Sequence, residues 1–272
     1  MAAVTCRRIG AGVMLERDSV GHALLVATSV ALACSLVVSA AVYWLRPIQV
    51  AYRSVEQNRA VLVAAGLAQP QDLLDDAAVV ERFLALESRL VDLDSGRFVN
   101  ADVSVVGAYD YRAAMDDPER TRAIAPPRDI AQLGRRPLVM PVYLQYQNGR
   151  LDRAVLPVYG RGMWSTIHGY LVLRGDLRTI ASAAFYEHGE TPGIGDRIQN
   201  PEWLAQWAGK RAFRDDGTLV LRVGGGAGAP AEERIDAITG ATVTVVGVDQ
   251  LVRYWLGDDA YGPFLATLRR EP

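Results

Sequence analysis

No charged residue interrupts the chain from Gly21 to Leu45, apart from His22 when it is protonated. The run Ala23–Leu45 would span roughly 35 Å as a helix, against about 30 Å of bilayer hydrocarbon. Tyr43 and Trp44 stand at its exit, where amphipathic rings suit the headgroup layer, and Arg46 and Pro47 close it. A cleaved signal peptide would have a shorter apolar core followed by small residues. The bulky Tyr43-Trp44-Leu45-Arg46 predicts an uncleaved anchor instead. Ile48–Leu67 reads as a helix stopped by Gly66 and Gln69-Pro70, and Pro70–Leu90 as a second. The second would carry Asp72, Asp75 and Asp76 at its N-terminus and an apolar face of Leu73, Ala77, Val80 and Leu84, with Gly96 beyond its end. Residues 108–136 are polar, contain Pro118, Pro126 and Pro127, and read as a long loop.

Beyond that loop the period becomes strand-like. Leu138–Gln147, Arg153–Tyr159, Thr166–Arg174 and Arg178–Tyr186 are β-rich and separated by short Gly- and Asn-containing turns, which predicts an antiparallel sheet. Asn200 precedes Pro201 as a helix cap would, with the helix running to about Ala208 and stopping at Gly209. Leu219–Val223 is a further strand, Gly224–Gly228 a flexible tip, Val243–Leu256 a helix, and Gly262-Pro263 the start of a last helix. The expected fold class is α+β: a single N-terminal transmembrane helix, then a domain outside the membrane, extracytoplasmic only by the resemblance given below, with an antiparallel sheet and flanking helices. The expected division is 1–20 as an N-terminal segment, which the resemblance below makes cytoplasmic, 21–46 as the transmembrane helix, 47–136 as a helical and loop region, and 137–272 as the main domain.

Composition narrows the function. The chain has 272 residues, a net charge of −2 and a pI near 6.0, which argues against a nucleic-acid partner. Cys6, Cys34, His22, His168 and His188 do not stand at ligand spacing, so neither a zinc site nor a disulfide framework is expected. Lys210 is the only lysine. Arg7, Arg8 and Arg17 before the apolar run are matched by Arg46, Arg53 and Arg59 after it, so charge does not set the orientation. Ala23, Ala27, Ala31, Ser35 and Ser39 form a row of small residues at i+4 steps, beside the bulkier row Val26, Val30, Cys34, Val38 and Val42. The small row suits either a crossing partner helix or an alanine-rich composition.

No nucleophile elbow, paired-His metal motif or Walker lysine is present, and no catalytic side chain is expected. Two segments carry candidate chemistry. The first is Asp236-Ala-Ile-Thr239-Gly240-Ala241-Thr242-Val-Thr244, in which small neighbours leave the Thr242 hydroxyl open at a helix start that would favour a phosphate. From the residues alone a cap and turn is the more ordinary reading, and Gly240 either keeps bulk from Thr242 or holds a positive φ. The second is Glu187-His188-Gly189-Glu190-Thr191-Pro192-Gly193-Ile194-Gly195, whose backbone N–H groups could meet the heteroatoms of a flat ring, or which is a surface loop.

Six blocks together resemble one family: Cys34–Arg46, Leu156–Gly169, Phe185–Gly195, Asn200–Lys210, Asp236–Gly247 and Trp255–Leu265. That family is the C subunit of the bacterial sodium-translocating NADH:quinone reductase. The resemblance implies FMN joined by a phosphoester to Thr242, the last residue of a D-x-x-S/T-G-A-T motif that here reads Asp236, Thr239, Gly240, Ala241, Thr242. It implies that Trp164 and the loop Glu190, Thr191, Pro192, Gly193, Ile194 and Gly195 enclose the flavin. It also implies a single-pass inner-membrane protein with a periplasmic flavin domain, other membrane subunits as partners, and a separate flavin transferase that uses FAD and magnesium. An electron-transfer subunit that binds neither NADH nor quinone would result. The alternatives are the related flavin subunit of Rnf-type ferredoxin-linked complexes and a cofactor-free, membrane-anchored binding or assembly module.

Overall fold

The computed structural model describes residues 20–68, 72, 75–225 and 228–270. The expectations resting on residues 1–19, on Gln69, Pro70 and Leu73, on the side chains of Arg46 and Arg53, and on the middle of the glycine run at 226–227 lie outside it. The chain divides into two compact units, Met1–Ser54 and Val55–Pro272.

The first unit holds most of helix α1 (Val20–Ala65). Its segment Val20–Leu45 is 26 residues long, apolar enough to cross a membrane, and not buried against protein. Tyr43 and Trp44 are exposed. The helix does not stop at Pro47 and restart at Ile48, as the sequence suggested. One proline removes a single backbone donor, and Leu45, Arg46, Gln49 and Ala51 around it are strong helix formers.

In the second unit the last turns of α1 bury Val61, Leu62, Ala64 and Ala65 against the sheet. The helix ends at Gly66, whose φ of +72° lets its N–H reach Val63 O at 3.0 Å while Leu67 N–H reaches Leu62 O at 2.8 Å. The Ser182 hydroxyl and the Arg153 guanidinium donate to the final carbonyls, of Ala64 and Ala65.

Helix α2 (Asp76–Phe83) is opened by the Asp75 carboxylate, which accepts from Ala78 N–H at 2.8 Å. It is much shorter than the expected Pro70–Leu90, because Glu87–Asp92 is strand β1 and forms a hairpin with β2 (Arg97–Phe98). Leu86, Leu90 and Leu93 have helical spacing. The segment nevertheless pairs along its whole length with a later strand, from Glu87 opposite Leu144 to Asp92 opposite Val139, and that ladder overrides local preference.

The expected loop at 108–136 is also structured. It contains the end of α3 (Val103–Ala108), α4 (Tyr111–Ala114) and the antiparallel pair β3 (Thr121–Ala123) and β4 (Arg135–Pro137). Long-range polar contacts order it: Arg122 and the buried Arg136 both donate to Asp94 at 2.5 Å, and Arg135 Nε donates to Thr121 Oγ1 at 2.8 Å.

Strands β5 (Val139–Gln147), β6 (Arg150–Arg161), β7 (Thr166–Arg174) and β8 (Ile180–Glu187) form the expected antiparallel meander. The six-stranded sheet runs in the order β2-β1-β5-β6-β7-β8, so it takes in the segment 87–98. Side chains alternate between two covered faces. Ala154, Leu156, Leu171 and Leu173 face the larger core, with α5 (Pro201–Ala205), α6 (Thr242–Leu256) and α7 (Gly262–Leu268). Val155, Tyr170 and Val172 face the end of α1 and Val79 of α2. Asn200 caps α5 as expected, accepting from Glu202 N–H at 2.8 Å, though the helix is shorter than its pattern suggested. β9 (Arg222–Val223) and β10 (Arg234–Ile235) form a small parallel pair.

Candidate functional site

Three segments meet at one end of the sheet: the tip of the β6–β7 hairpin, the loop after β8, and the start of α6. α6 exists because Val245, Val248, Leu251, Val252 and Trp255 form an apolar stripe that packs across β6. Its fit is close. Trp255 is fully buried and its indole N–H donates to Tyr159 O at 2.6 Å. A Cβ on Gly247 would lie 2.6 Å from Arg161 O, so this glycine lets the helix backbone rest on the hairpin.

Residues Ile238–Ala241 form a turn closed by Ala241 N–H to Ile238 O at 3.0 Å. Gly240 at its third position has φ +84°, the requirement of a type II turn. Of the two roles open to Gly240 in the sequence, the conformational one is therefore present. Space around it is ample, since an added Cβ would meet only Ile194 Cγ2 at 3.9 Å. α6 starts at Thr242 and no side chain caps it. Thr239 and Thr242 are exposed, Ala241 and Thr244 are buried. The turn is anchored from α5 and just beyond it: Trp203 Nε1 donates to Asp236 O at 2.8 Å, and Asp236 N–H donates to Gln206 Oε1 at 3.1 Å. The Asp236 side chain is exposed and lies 3.7 Å from Arg234.

The loop after β8 repeats the same device. Pro192 and Gly193 occupy the centre of a turn closed by Ile194 N–H to Thr191 O at 3.1 Å, with φ +75° at Gly193. Gly195 is buried, and a Cβ there would press on Glu190 and on Thr244 Oγ1. Glu190 is only 4% exposed. Its carboxylate accepts from Trp164 N–H and Met163 N–H, each at 3.1 Å, and from the Thr244 hydroxyl at 2.5 Å. Burial alone would raise its pKa. The Thr244 hydroxyl and the N–H groups of Trp164 and Met163 outweigh that and hold it below the usual carboxylate value. The Trp164 indole N–H donates to Thr191 Oγ1 at 3.0 Å, while the ring itself is 62% exposed.

Large apolar side chains are left in the open here. Among the described residues of the second unit, nine are exposed: Val80, Leu84, Val105, Tyr146, Met163, Trp164, Ile194, Val243 and Val246. The last five lie on the three segments that meet at the start of α6, where Thr242 stands. That is a site for a partly apolar ligand with an anionic end: apolar side chains near an exposed threonine, at the free N–H groups of a helix 15 residues long. His188, by contrast, is turned into the structure, where its Nδ1 accepts from Glu190 N–H at 3.3 Å. Among the described residues no cluster of His, Cys, Asp and Glu could hold a metal ion.

The FMN-binding domain family matches residues 162–257, which takes in all three segments. The C subunit of the Na(+)-translocating NADH-quinone reductase of Pseudomonas aeruginosa is 39% identical over 94% of this chain and 99% of its own length. Its counterpart in Yersinia pestis is 38% identical over 93% of this chain and 95% of its own length. The chain belongs to this C-subunit family. The crystal structure of Shewanella oneidensis NqrC superposes with a TM-score of 0.70 at 34% identity, covering 79% of this chain and 97% of that one. The corresponding subunit of Parabacteroides distasonis shares the fold, with a TM-score of 0.61. Membership sets aside the Rnf-type alternative, and the FMN-binding match sets aside the cofactor-free one.

The residues present fit FMN. The exposed Trp164 and its apolar neighbours suit an isoalloxazine, and the uncapped helix start suits a phosphate. The cofactor-binding residues expected from the sequence lie in these segments or, for Asp236, Thr239, Gly240 and Ala241, in the stretch that leads into α6. Several that complete the site were not singled out: Gly162, Trp203, Gln206, Thr244 and Gly247. Thr244 was visible as the third hydroxyl of the motif, and Trp203 and Gln206 as residues of the Asn200–Lys210 block. Their partners are distant in sequence, so no local pattern reports them.

Proposed function

We propose that this chain is the electron-carrying C subunit of a sodium-translocating NADH:quinone reductase, with FMN held covalently on Thr242. The observation that carries this reading is the exposed Thr242 at the uncapped start of α6, with Met163, Trp164, Ile194, Val243 and Val246 left exposed on the segments that meet there. In the attachment step Thr242 Oγ would form a bond to the FMN-side phosphorus of FAD. The pyrophosphate P–O bond breaks, AMP leaves, and the hydroxyl proton passes to a base of the flavin transferase, with magnesium offsetting the phosphate charge. The product phosphodiester is an anion at a helix N-terminus, an arrangement worth about 0.3–1 kcal/mol at an exposed position. That favours the site without accounting for the covalent bond.

Bound FMN supplies the redox chemistry. This chain's residues supply position and exclude water from part of the ring. Glu190–Gly195, Asp236, Thr239, Gly240 and Ala241 shape the attachment site, and no side chain acts as a catalyst. In this reading Val20–Leu45 anchors the chain in the inner membrane, the FMN-binding domain is periplasmic, and electrons pass between redox centres of the partner subunits. A covalent link then prevents loss of a cofactor that could not readily be replaced outside the cytoplasm. The test is to co-express the full chain with a flavin transferase, denature it and run it on a gel. Ultraviolet-excited flavin fluorescence at the chain's mass supports covalent attachment; its absence from a chain that binds FMN only when folded refutes it.

A further inference from the structure

Glu190 stands in the loop that would enclose the flavin, yet its carboxylate does not face outward. It lies between the hairpin tip and the first turn of α6, accepting from Trp164 N–H, Met163 N–H and the Thr244 hydroxyl. Two glycines make room for it. A Cβ on Gly162 would lie 2.5 Å from Glu190 Oε1, and one on Gly195 would lie 2.9 Å from Glu190 Cβ. The adjacent Thr191 accepts from the Trp164 indole N–H at 3.0 Å, so one loop holds both the backbone and the ring of Trp164. Thr244 is 2% exposed, while Thr242, two residues earlier on the same turn, is open to solvent.

We propose that Glu190 is a positioning residue and not a flavin ligand: its carboxylate ties the tip carrying Trp164 to the helix turn carrying Thr242, and so sets the indole relative to the attachment site. The proposal rests on Thr242 being that site. A carboxylate suits the role because it can accept from three donors at once. An amide of the same size turns one oxygen into a donor, which faces another donor wherever it points. Removing the clamp leaves the tip tied, among the described residues, to the loop after β8 only by the Trp164 indole N–H on Thr191 and by Gly189 N–H on the adjacent Ser165 Oγ, neither of which reaches α6.

The test uses the full chain in detergent, labelled with 5-fluorotryptophan, with the Trp164 resonance assigned by Trp164→Phe. In a flavin-free Thr242→Ala chain, Glu190→Gln and Thr244→Val should each shift and broaden the Trp164 fluorine resonance. The Trp203, Trp207 and Trp255 resonances should stay in place, and Thr244→Ser should restore the wild-type signal. In the chain that keeps Thr242, the visible circular dichroism per bound flavin should fall in the same two variants, again with recovery in Thr244→Ser. An unmoved Trp164 resonance in both variants overturns the proposal. So does equal movement of Trp164, Trp203, Trp207 and Trp255, which would make Glu190 a general core residue. If the parent chain carries no flavin, the proposed function fails, while the fluorine measurement still decides the clamp.

Discussion

Replacing Gly240 by alanine probes the turn that presents Thr242. The φ of +84° places this residue in the left-handed region. An L side chain there costs about 1–2 kcal/mol. No collision adds to that, because the nearest atom to a new Cβ is 3.9 Å away. Alanine also restricts the unfolded chain, which returns about 0.4–1 kcal/mol. The net expectation is a loss of about 1 kcal/mol, or roughly 2–4 °C in melting temperature for a unit of this size. Gly240→Asn should lose less, since asparagine tolerates the left-handed region better. Thermal melts of the full chain in detergent, followed by tryptophan emission, check both values. Flavin content of the same samples should fall more in Gly240→Ala than the small loss of fold explains, because the turn sets where Thr242 emerges. A melting temperature raised by alanine, or asparagine costing more than alanine, would refute the conformational argument.

Trp255→Phe should cost about 2–4 kcal/mol in chemical denaturation, because it leaves the buried Tyr159 carbonyl without its donor and opens space beneath α6. A cost under 1 kcal/mol would show that the hydrogen bond is replaceable. Glu190 has its pKa lowered on folding, so its ionised form contributes stability above the ordinary glutamate value of 4.5 that is lost as pH falls through the folded value. The melting-temperature advantage of the wild type over Glu190→Gln should therefore be present at pH 6 and shrink below about pH 4.5; an advantage that grows on acidification contradicts the assigned sign. In the membrane helix, Ala31→Leu should weaken co-purification with partner subunits while Val30→Leu does not, since bulk in the small-residue row blocks close approach. Equal yields would mean that the row reflects composition alone.

The meander and the helix below the site are legible in the sequence because their signals are local. Thr166–Arg174 is strand β7 with unchanged bounds, and α6 begins one residue before the expected Val243. A β-rich run bounded by turn residues and an apolar stripe ended by Gly257 leave little freedom. The start of β1 reads wrongly as helix because the apolar face of Leu73, Ala77, Val80 and Leu84 carries on to Leu90, while as a strand the segment buries both Leu90 and Val91 on a sheet covered on both sides. Only pairing with β5, about fifty residues away, separates the two readings. The region around Arg136 reads wrongly as loop for a related reason: the Asp94 carboxylate that orders it comes from the β1–β2 turn. At the site, the motif and its small neighbours point to Thr242. Nothing local points to the inward turn of Glu190, because it depends on Gly162, Gly195 and Thr244, which three separate segments contribute.

The central claim is that Thr242 carries the flavin, and peptide mass spectrometry tests it most directly. Cleavage after Arg234 and Arg253 releases Ile235–Arg253, which contains Thr239, Thr242 and Thr244. The chain co-expressed with a flavin transferase should yield this peptide heavier by FMN less one water, with fragment ions placing the addition on Thr242. The Thr242→Ala chain should yield the unmodified peptide and no fluorescent band. Modification on Thr239 or Thr244, or flavin retained after denaturation in Thr242→Ala, would contradict the account.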